Sequence, residues 1–284
     1  MSKTALVLEG GALRTFYTMG VLDALLEANI EFDYVCGVSG GALCAISYLS
    51  KQHGRTVRLN QEFLHDKRYR GFSSLLKNKS YFNIGFLMSQ AVEAKYPLDY
   101  DAYITSDAQF DCVITNTHTG KPEYHAKPTR EAFDRIVATA SVPYLSKMVP
   151  IGNHLYLDGG IGDPIPYIRA RELGYDRIVV VLTQDETYHK KAPSHAEKAI
   201  TKLFYHGYPH LMDTINSRYQ AYNTVRDKLK NDQAHDDVYI IAPSKPVEVS
   251  RFETNNQKLK ALYDVGYTET MDQVEAIKKY CMQQ

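Results

Sequence analysis

Tryptophan is absent from the 284 residues, and cysteine occurs only four times. Cys36, Cys44, Cys112 and Cys281 make no C-x-x-C pair, and three of them lie in apolar surroundings. Reduced, buried thiols fit this better than a disulfide framework or a zinc site. Net charge is also missing: Lys plus Arg and Asp plus Glu each count 33. No global field draws such a chain to nucleic acid or to anionic lipid, so nucleic acid is not an expected partner and any membrane contact must be local. No apolar run approaches the roughly 18 residues of a membrane-crossing helix. The four apolar residues before Glu9 are too few for a signal-peptide core, so a cytoplasmic protein is expected, with at most peripheral contact at the inner membrane surface. Neither G-x-G-x-x-G nor G-x-x-x-x-G-K-[ST] occurs, which disfavours a nucleotide phosphate. No H-x-x-H or calcium-loop spacing points to a metal, and no cofactor is expected.

What is present is hydrophobic content of 44% and a repeated local pattern. "TALVLEG" reads as a buried strand broken by Gly10 and Gly11; Tyr17, Val21 and Leu25, with Leu22 and Leu26 beside them, then recur at helical spacing. "FDYVCGV" gives a second strand, and Ala42, Ala45, Ile46 and Leu49 a second helix. "FDCVITNT", "TREAFDRIVATAS", "LYLDGG", "IPYIRARELG" and "DRIVVVLTQ" continue the alternation of strand and helix. This predicts an α/β fold whose mostly parallel central sheet is covered by helices on both faces. Ligands on such sheets gather outside the carboxyl ends of the strands.

After Gln184 the character changes. "ETYHKKAPSH" reads as a polar loop, followed by long mixed-polarity helices, one strand ("DVYIIAPS") and a terminal helix. The expected organisation is a catalytic region over 1–186 and a mainly helical C-terminal region over 187–284, with "VYIIAPS" free to join the main sheet. Tyrosine counts 22, an excess that no single property of the sequence explains.

Three stretches could carry chemistry. In Gly37-Val38-Ser39-Gly40-Gly41, a serine between strand and helix needs a strained backbone and small neighbours, which Gly37 and Gly41 supply. Ser39 is then either a nucleophile or part of a tight turn. Asp158 ends "LYLDGG", where Gly159 and Gly160 allow close backbone approach; it is either a general base or a cap on the segment that follows. In "EGGALR", main-chain N–H groups at a glycine turn can hold an anion or an oxyanion. Arg14 either pins that loop or adds positive charge near a substrate phosphate. None of the ten histidines sits in an obvious strand-end turn, and the "GN" before His154 reads as a hairpin turn.

Taken in this order, the three motifs resemble the patatin-like phospholipases, over about residues 4 to 185. "LVLEGGALRTFYTMGVL" is similar to the family's glycine-rich oxyanion segment, "GVSGGAL" to its nucleophile turn, and "ATASVPYLSKMVPIGNHLYLDGG" to the approach to its catalytic aspartate. The "DGGIGDPIP" continuation resembles bacterial members with an extra C-terminal region. The resemblance implies a three-layer sandwich and a serine acyl hydrolase of phospholipase A, lysophospholipase or esterase type, needing no metal. It makes Ser39 the nucleophile and Asp158 its base, with Gly10, Gly11 and Ala12 offering oxyanion donors and Arg14 orienting the loop. Ala12 and Thr15 depart from the glycines usual at their positions, and Pro164 stands where many members have asparagine. An alanine tolerates positive φ poorly, so the Ala12 donor is expected to survive only outside the left-handed region.

An aspartate at about 3.9 is a weaker base than a histidine at about 6.5, so Asp158 needs desolvation and the amides must carry much of the catalysis. Two other readings stand: an α/β-hydrolase-type esterase with a histidine base, losing activity below about pH 6, and a lipid-binding protein without turnover. The substrate is expected to be a lipid or small ester. Residues 65–86 interleave Lys67, Arg68, Arg70, Lys77 and Lys79 with Tyr69, Phe72, Tyr81, Phe82 and Phe86. This stretch is either a membrane-facing patch or, more economically, a solvated basic loop over a hydrophobic anchor.

Overall fold

Thr4–Leu8, buried at every position, forms β1. After Gly10 and Gly11 a short 3-10 turn, Ala12–Thr15, leads into α1 (Phe16–Glu27). Tyr34–Val38 forms β2, and α2 (Gly40–Leu49) starts one residue later. The structure, a computed structural model, describes residues 3–87 and 95–282. The remaining strands are β3 (Gln109–Asn116), β4 (Pro122–Ala126), β5 (Val149–Ile151), β6 (His154–Asp158), β7 (Arg177–Val181) and β8 (Val238–Ile241).

The eight strands form one sheet in the order β5-β6-β3-β2-β1-β7-β8, with β4 also on β3. β3, β2, β1, β7 and β8 run parallel. β4 and β6 pair antiparallel with β3, and β5 pairs antiparallel with β6. The period-2 alternation of strand side chains divides the core in two. Leu6, Leu8, Val35, Cys112, Val179 and Val181 pack with α1, α2 and the C-terminal helices. Ala5, Val7, Tyr34, Cys36, Val180 and Val238 pack on the other face, with Tyr167, Tyr222 and Leu229. The protein is therefore a three-layer α/β sandwich on a mostly parallel sheet, with a largely helical C-terminal region. All four cysteines are free thiols, and only Cys281 is not fully buried.

The C-terminal region contributes to both layers. β8 extends the sheet beside β7, in register from Ile178↔Val238 to Val181↔Ile241. The helix Pro209–Ala234 lays Tyr222 and Leu229 on one face. The helix Asn256–Met271 crosses α1 at backbone contact: a Cβ on Gly20 would lie 2.1 Å from the Tyr263 carbonyl oxygen, and one on Gly266 2.2 Å from that of Tyr17. Tyr17 and Tyr263 donate to Glu269 (2.9 Å) and Asp23 (2.8 Å) across the same crossing.

Candidate active site

The sheet brings Ser39 and Asp158 together by an arrangement at one edge of β3. β4 lies along one side of β3, pairing Tyr124 with Val113 and Glu123 with Ile114. On the other side β2 ends at Val38, opposite Val113, and antiparallel β6 ends at Asp158, opposite Ile114. Two strands thus approach head to head on the same edge, and their carboxyl ends meet at consecutive positions.

Ser39 follows at once and takes φ 53°, ψ −127°, a conformation that costs a non-glycine residue about 1–3 kcal/mol. Its N–H donates to Thr139 Oγ1 (2.8 Å), and that hydroxyl donates to the Val113 carbonyl (2.5 Å). The strained turn is thereby bolted to β3. Gly41 allows α2 to start against β1: a Cβ there would lie 2.6 Å from the Leu8 carbonyl oxygen. Gly37 faces α2 as closely, since its Cβ would lie 2.6 Å from Ala42 Cα.

Ser39 Oγ donates to Asp158 Oδ2 at 2.7 Å, and both residues are buried. Asp158 Oδ1 accepts from the Gly160 N–H at 2.8 Å, and its carbonyl accepts from Thr115 Oγ1 at 2.9 Å. The carboxylate therefore has one oxygen held by backbone and the other on the serine. Burial pushes the Asp158 carboxyl above the usual carboxylate range; the bonds from Ser39 and Gly160, and the charges of Arg251 and Arg218, oppose the rise. Gly159 packs on β3, where a Cβ would meet the Val113 carbonyl oxygen at 2.2 Å.

The glycine loop touches the serine directly: a Cβ on Gly10 would lie 3.0 Å from that of Ser39. Gly10, Gly11 and Ala12 line the same cleft as Ser39 and Asp158. Among the described residues no carbonyl or side chain accepts from their amides, which leaves these donors for a ligand. Contrary to the condition set from the sequence, Ala12 adopts the left-handed region, at φ 50°, and still lines the cleft beside Ser39. Thr15 offsets this locally, because its hydroxyl donates to the Ala12 carbonyl at 2.6 Å. Arg14 directs its guanidinium at the Gln184 side-chain amide, whose oxygen, turned toward it, accepts from Nε at 3.2 Å and from Nη1.

Glu9 anchors the base of this loop. Its buried carboxylate accepts from the Thr183 N–H (2.6 Å) and hydroxyl (3.0 Å) after β7, and from the Tyr222 hydroxyl (2.9 Å). Sequence inspection gave Glu9 no role, because its partners lie 174 and 213 residues away.

Two recesses meet at Ser39. A narrow apolar one, about 40 Å³, is lined by Leu13, Met19, Leu43, Ile84, Ala140 and Val142 among others. The other, about 70 Å³, is lined by Ser39 and Asp158 and carries Lys190, Arg218, Arg251 and Pro164 on its wall. These three cations went unnoticed in the sequence: Lys190 sits in the stretch read as a polar loop, and tens of residues separate it from the others. Among the described residues no histidine lines either recess. His154 is exposed at the far end of β6, after the two-residue turn that "GN" predicts.

The stretch 65–86 is only partly a surface patch. Lys67, Arg68, Lys77, Lys79 and Phe72 are exposed, but Tyr69, Arg70 and Phe82 are buried. Arg70 is structural, donating to the carbonyls of Glu253 (2.9 Å) and Phe252 (3.1 Å). Tyr69, Phe82, Ile84 and Leu87 form a small core of their own, the hydrophobic anchor of the second reading.

The architecture and the turn define the class: a three-layer α/β protein that carries a glycine-flanked serine on a strained strand-to-helix turn, bonded to a strand-end aspartate. The profile described as "Patatin-like phospholipase" matches residues 6–171, and the chain belongs to that family. Residues 208–282 match a domain of unknown function, DUF6363. The chain is 23% identical over 270 residues to the uncharacterized protein YjjU of Escherichia coli (strain K12), covering 93% of this chain and 75% of that protein. It is 22% identical over 207 residues to the probable lipid hydrolase 463L of Invertebrate iridescent virus 6, covering 64% and 71%. Among solved structures, VipD from Legionella pneumophila aligns at a TM-score of 0.45 with 12% identity, over 97% of this chain and 67% of that one.

Proposed function

We propose that the protein is a serine hydrolase of fatty-acyl esters, acting through a Ser39–Asp158 dyad on lysophospholipid- or phospholipid-type substrates. The observation that carries this reading is the 2.7 Å bond from Ser39 Oγ, held at φ 53°, to the buried Asp158 carboxylate. Family membership supports lipid ester hydrolysis in general terms.

In the first step Ser39 Oγ attacks the ester carbonyl carbon while its proton passes to Asp158 Oδ2. The carbonyl oxygen gathers negative charge beside the amides of Gly10, Gly11 and Ala12, where each preorganised donor contributes roughly 3–4 kcal/mol. The tetrahedral species expels the alkoxide, which takes the proton from Asp158, and the acyl group stays on Ser39. Water then attacks the acyl carbon, giving its proton to Asp158, and the fatty acid leaves as Ser39 is reprotonated. Arg14, through Gln184, fixes the path of the amide loop. The elevated pKa of Asp158 brings it nearer to that of a useful base, since the ideal value lies close to the working pH.

Hydrolysis of p-nitrophenyl butyrate and octanoate from pH 4.5 to 9 is the test. Wild type is expected to keep its rate well below about pH 6, where a histidine base would already be protonated. Ser39→Ala and Asp158→Asn are each expected to lose at least about 10³-fold in kcat/KM. Full activity in Asp158→Asn would overturn the dyad, and wild type inert on every chain length would overturn the hydrolase.

A further inference from the structure

The cleft does not stop at the dyad. Lys190, Arg218 and Arg251 line the space above Ser39 and Asp158, and also the cavity of about 570 Å³ that opens beside it. They come from three separate places: Lys190 from the loop after β7, Arg218 from the helix Pro209–Ala234, and Arg251 from the segment before the helix Asn256–Met271. All three are half-buried. Among the described residues no carboxylate lies within ion-pair distance of any of them. Glu9 is hydrogen-bonded to Thr183 and Tyr222, Asp158 to Ser39 and Gly160, and Glu197, in the larger cavity, to Ser194; these carboxylates act on the three cations only through space. Lys190 Nζ instead stands 3.7 Å above the Tyr222 ring.

Three like charges in one partly desolvated cleft repel each other. Burial and the nearby Arg251 lower the pKa of Arg218; burial, opposed by Glu9 and helped by Arg218, Arg251 and Arg14, pushes Lys190 down to about 7. An anion in this place relieves the repulsion and receives charge-assisted hydrogen bonds, and guanidinium forks suit phosphate oxygens. A carboxylate brings one negative charge, whereas a phosphate monoester brings about −1.5 to −2, nearer to that of two guanidiniums beside a part-ionised lysine. The second recess that meets Ser39 is apolar. The serine therefore belongs to a cationic and to an apolar recess at once, as the ester of an amphiphile joins headgroup and tail.

We infer that Lys190, Arg218 and Arg251 form a subsite for a phosphate group carried by the substrate, so that the preferred ester is an acyl ester of a phosphorylated alcohol, of acylglycerophosphate type. The inference rests on the hydrolase reading above and assigns part of the C-terminal region a role in recognising substrate.

The test compares kcat/KM for monomeric 1-octanoylglycerol 3-phosphate and 1-octanoylglycerol in the full-length protein. Wild type is expected to prefer the phosphorylated ester at least tenfold, and Arg218→Gln and Arg251→Gln each to lower that preference about tenfold. Both guanidiniums also act on the Asp158 charge, so absolute rates on both substrates will move together. Only the ratio reports the anion. Arg218→Lys and Arg251→Lys, which keep the charge, are expected to retain more of the preference. A wild-type ratio near one, or one unchanged in the double Gln variant, overturns the subsite.

Inactivity of wild type on both esters would instead sink the hydrolase reading, so binding is measured separately by calorimetry on Ser39→Ala. The phosphorylated ester should bind at least tenfold more tightly than inorganic phosphate, and adding Arg218→Gln and Arg251→Gln should abolish this. Equal affinity for inorganic phosphate would overturn a substrate role in favour of a free anion. Absence of binding by either would overturn the site altogether.

Discussion

At the residue scale, chemistry and stability disagree at Asp158. Burial raises the Asp158 pKa above its ordinary 3.8, so the folded protein holds that proton more tightly than the unfolded chain does. Stability then falls as pH rises from the ordinary value through the folded one, and the ionised carboxylate is a cost at neutral pH. Asp158→Asn is therefore expected to melt about 2–4 °C higher than wild type at pH 7 while being inactive, the gap shrinking toward pH 4. Thermal melts at the two pH values check this, and a lower melting point at pH 7 would mean that Arg218 and Arg251 hold the carboxylate more strongly than burial disfavours it. Ala12 stores strain of another kind. At φ 50° its Cβ costs about 1–2 kcal/mol, and a glycine would relieve that while losing part of the gain to unfolded-chain entropy. Ala12→Gly is expected to be as stable as wild type or up to about 1 kcal/mol more so, with esterase activity at or above wild type, as read by urea denaturation and ester turnover. A loss of activity would mean that Thr15 and Ala12 together set the amide direction. The sequence made Ala12 conspicuous but could not show the Thr15 hydroxyl that closes the turn over it.

At the element scale, the crossing of α1 with the helix Asn256–Met271 is set by two glycines, each of which faces backbone of the other helix. Gly266→Ala would force a methyl to 2.2 Å from the Tyr17 carbonyl oxygen, so the helices must separate. The expected cost is about 3 kcal/mol, at the upper end of overpacking, read as a lower urea midpoint; a midpoint unchanged from wild type would show that the helices can slide apart freely. The strands of the parallel sheet were legible because burial on both faces leaves nearly continuous apolar runs, as in "LVL" and "IVVV". β4 was not, since Pro122, Glu123 and His125 give an edge strand with no buried residue and no apolar alternation. The candidate dyad was legible for a different reason. Each half carries its own local signature of glycines around one polar residue, whereas the cations of the cleft need the fold to bring them together. The tyrosine excess, unexplained in the sequence, acquires an account here. Tyr17, Tyr34, Tyr124, Tyr156, Tyr167, Tyr222 and Tyr263 each donate a hydroxyl to an aspartate or glutamate, often between elements distant in sequence. An aromatic that fills a core and still carries a donor can join layers and satisfy a carboxylate together.

At the scale of the whole molecule, zero net charge gives no long-range attraction to a membrane, and among the described residues no helix is long and apolar enough to cross one. The surface near the cleft is nevertheless uneven. Phe72 and Leu76, 76% and 83% exposed, stand on the short helix Phe72–Asn78 with Lys77 and Lys79 close by. On the helix His195–Tyr205, Leu203 and Phe204 are 72% and 55% exposed. One segment links the two: the Tyr81 N–H donates to the Leu145 carbonyl at 2.6 Å, and Tyr144 packs edge-on against Phe204 with ring centroids 5.6 Å apart. Exposed apolar side chains beside lysines suit the boundary between headgroups and acyl chains, where each cation near an anionic surface is worth about 1 kcal/mol. Replacing Lys67, Arg68, Lys77 and Lys79 with glutamine, and leaving the buried Arg70 in place, is therefore expected to weaken binding to phosphatidylglycerol-containing vesicles by at least tenfold. Phe72→Ser with Leu76→Ser should weaken it on neutral vesicles as well. Vesicle sedimentation measures both, with hydrolysis of soluble p-nitrophenyl esters as the control for folding. Wild-type protein that stays in the supernatant with every vesicle would remove the membrane from the account and leave these residues as a solvated loop over the Tyr69–Phe82 anchor.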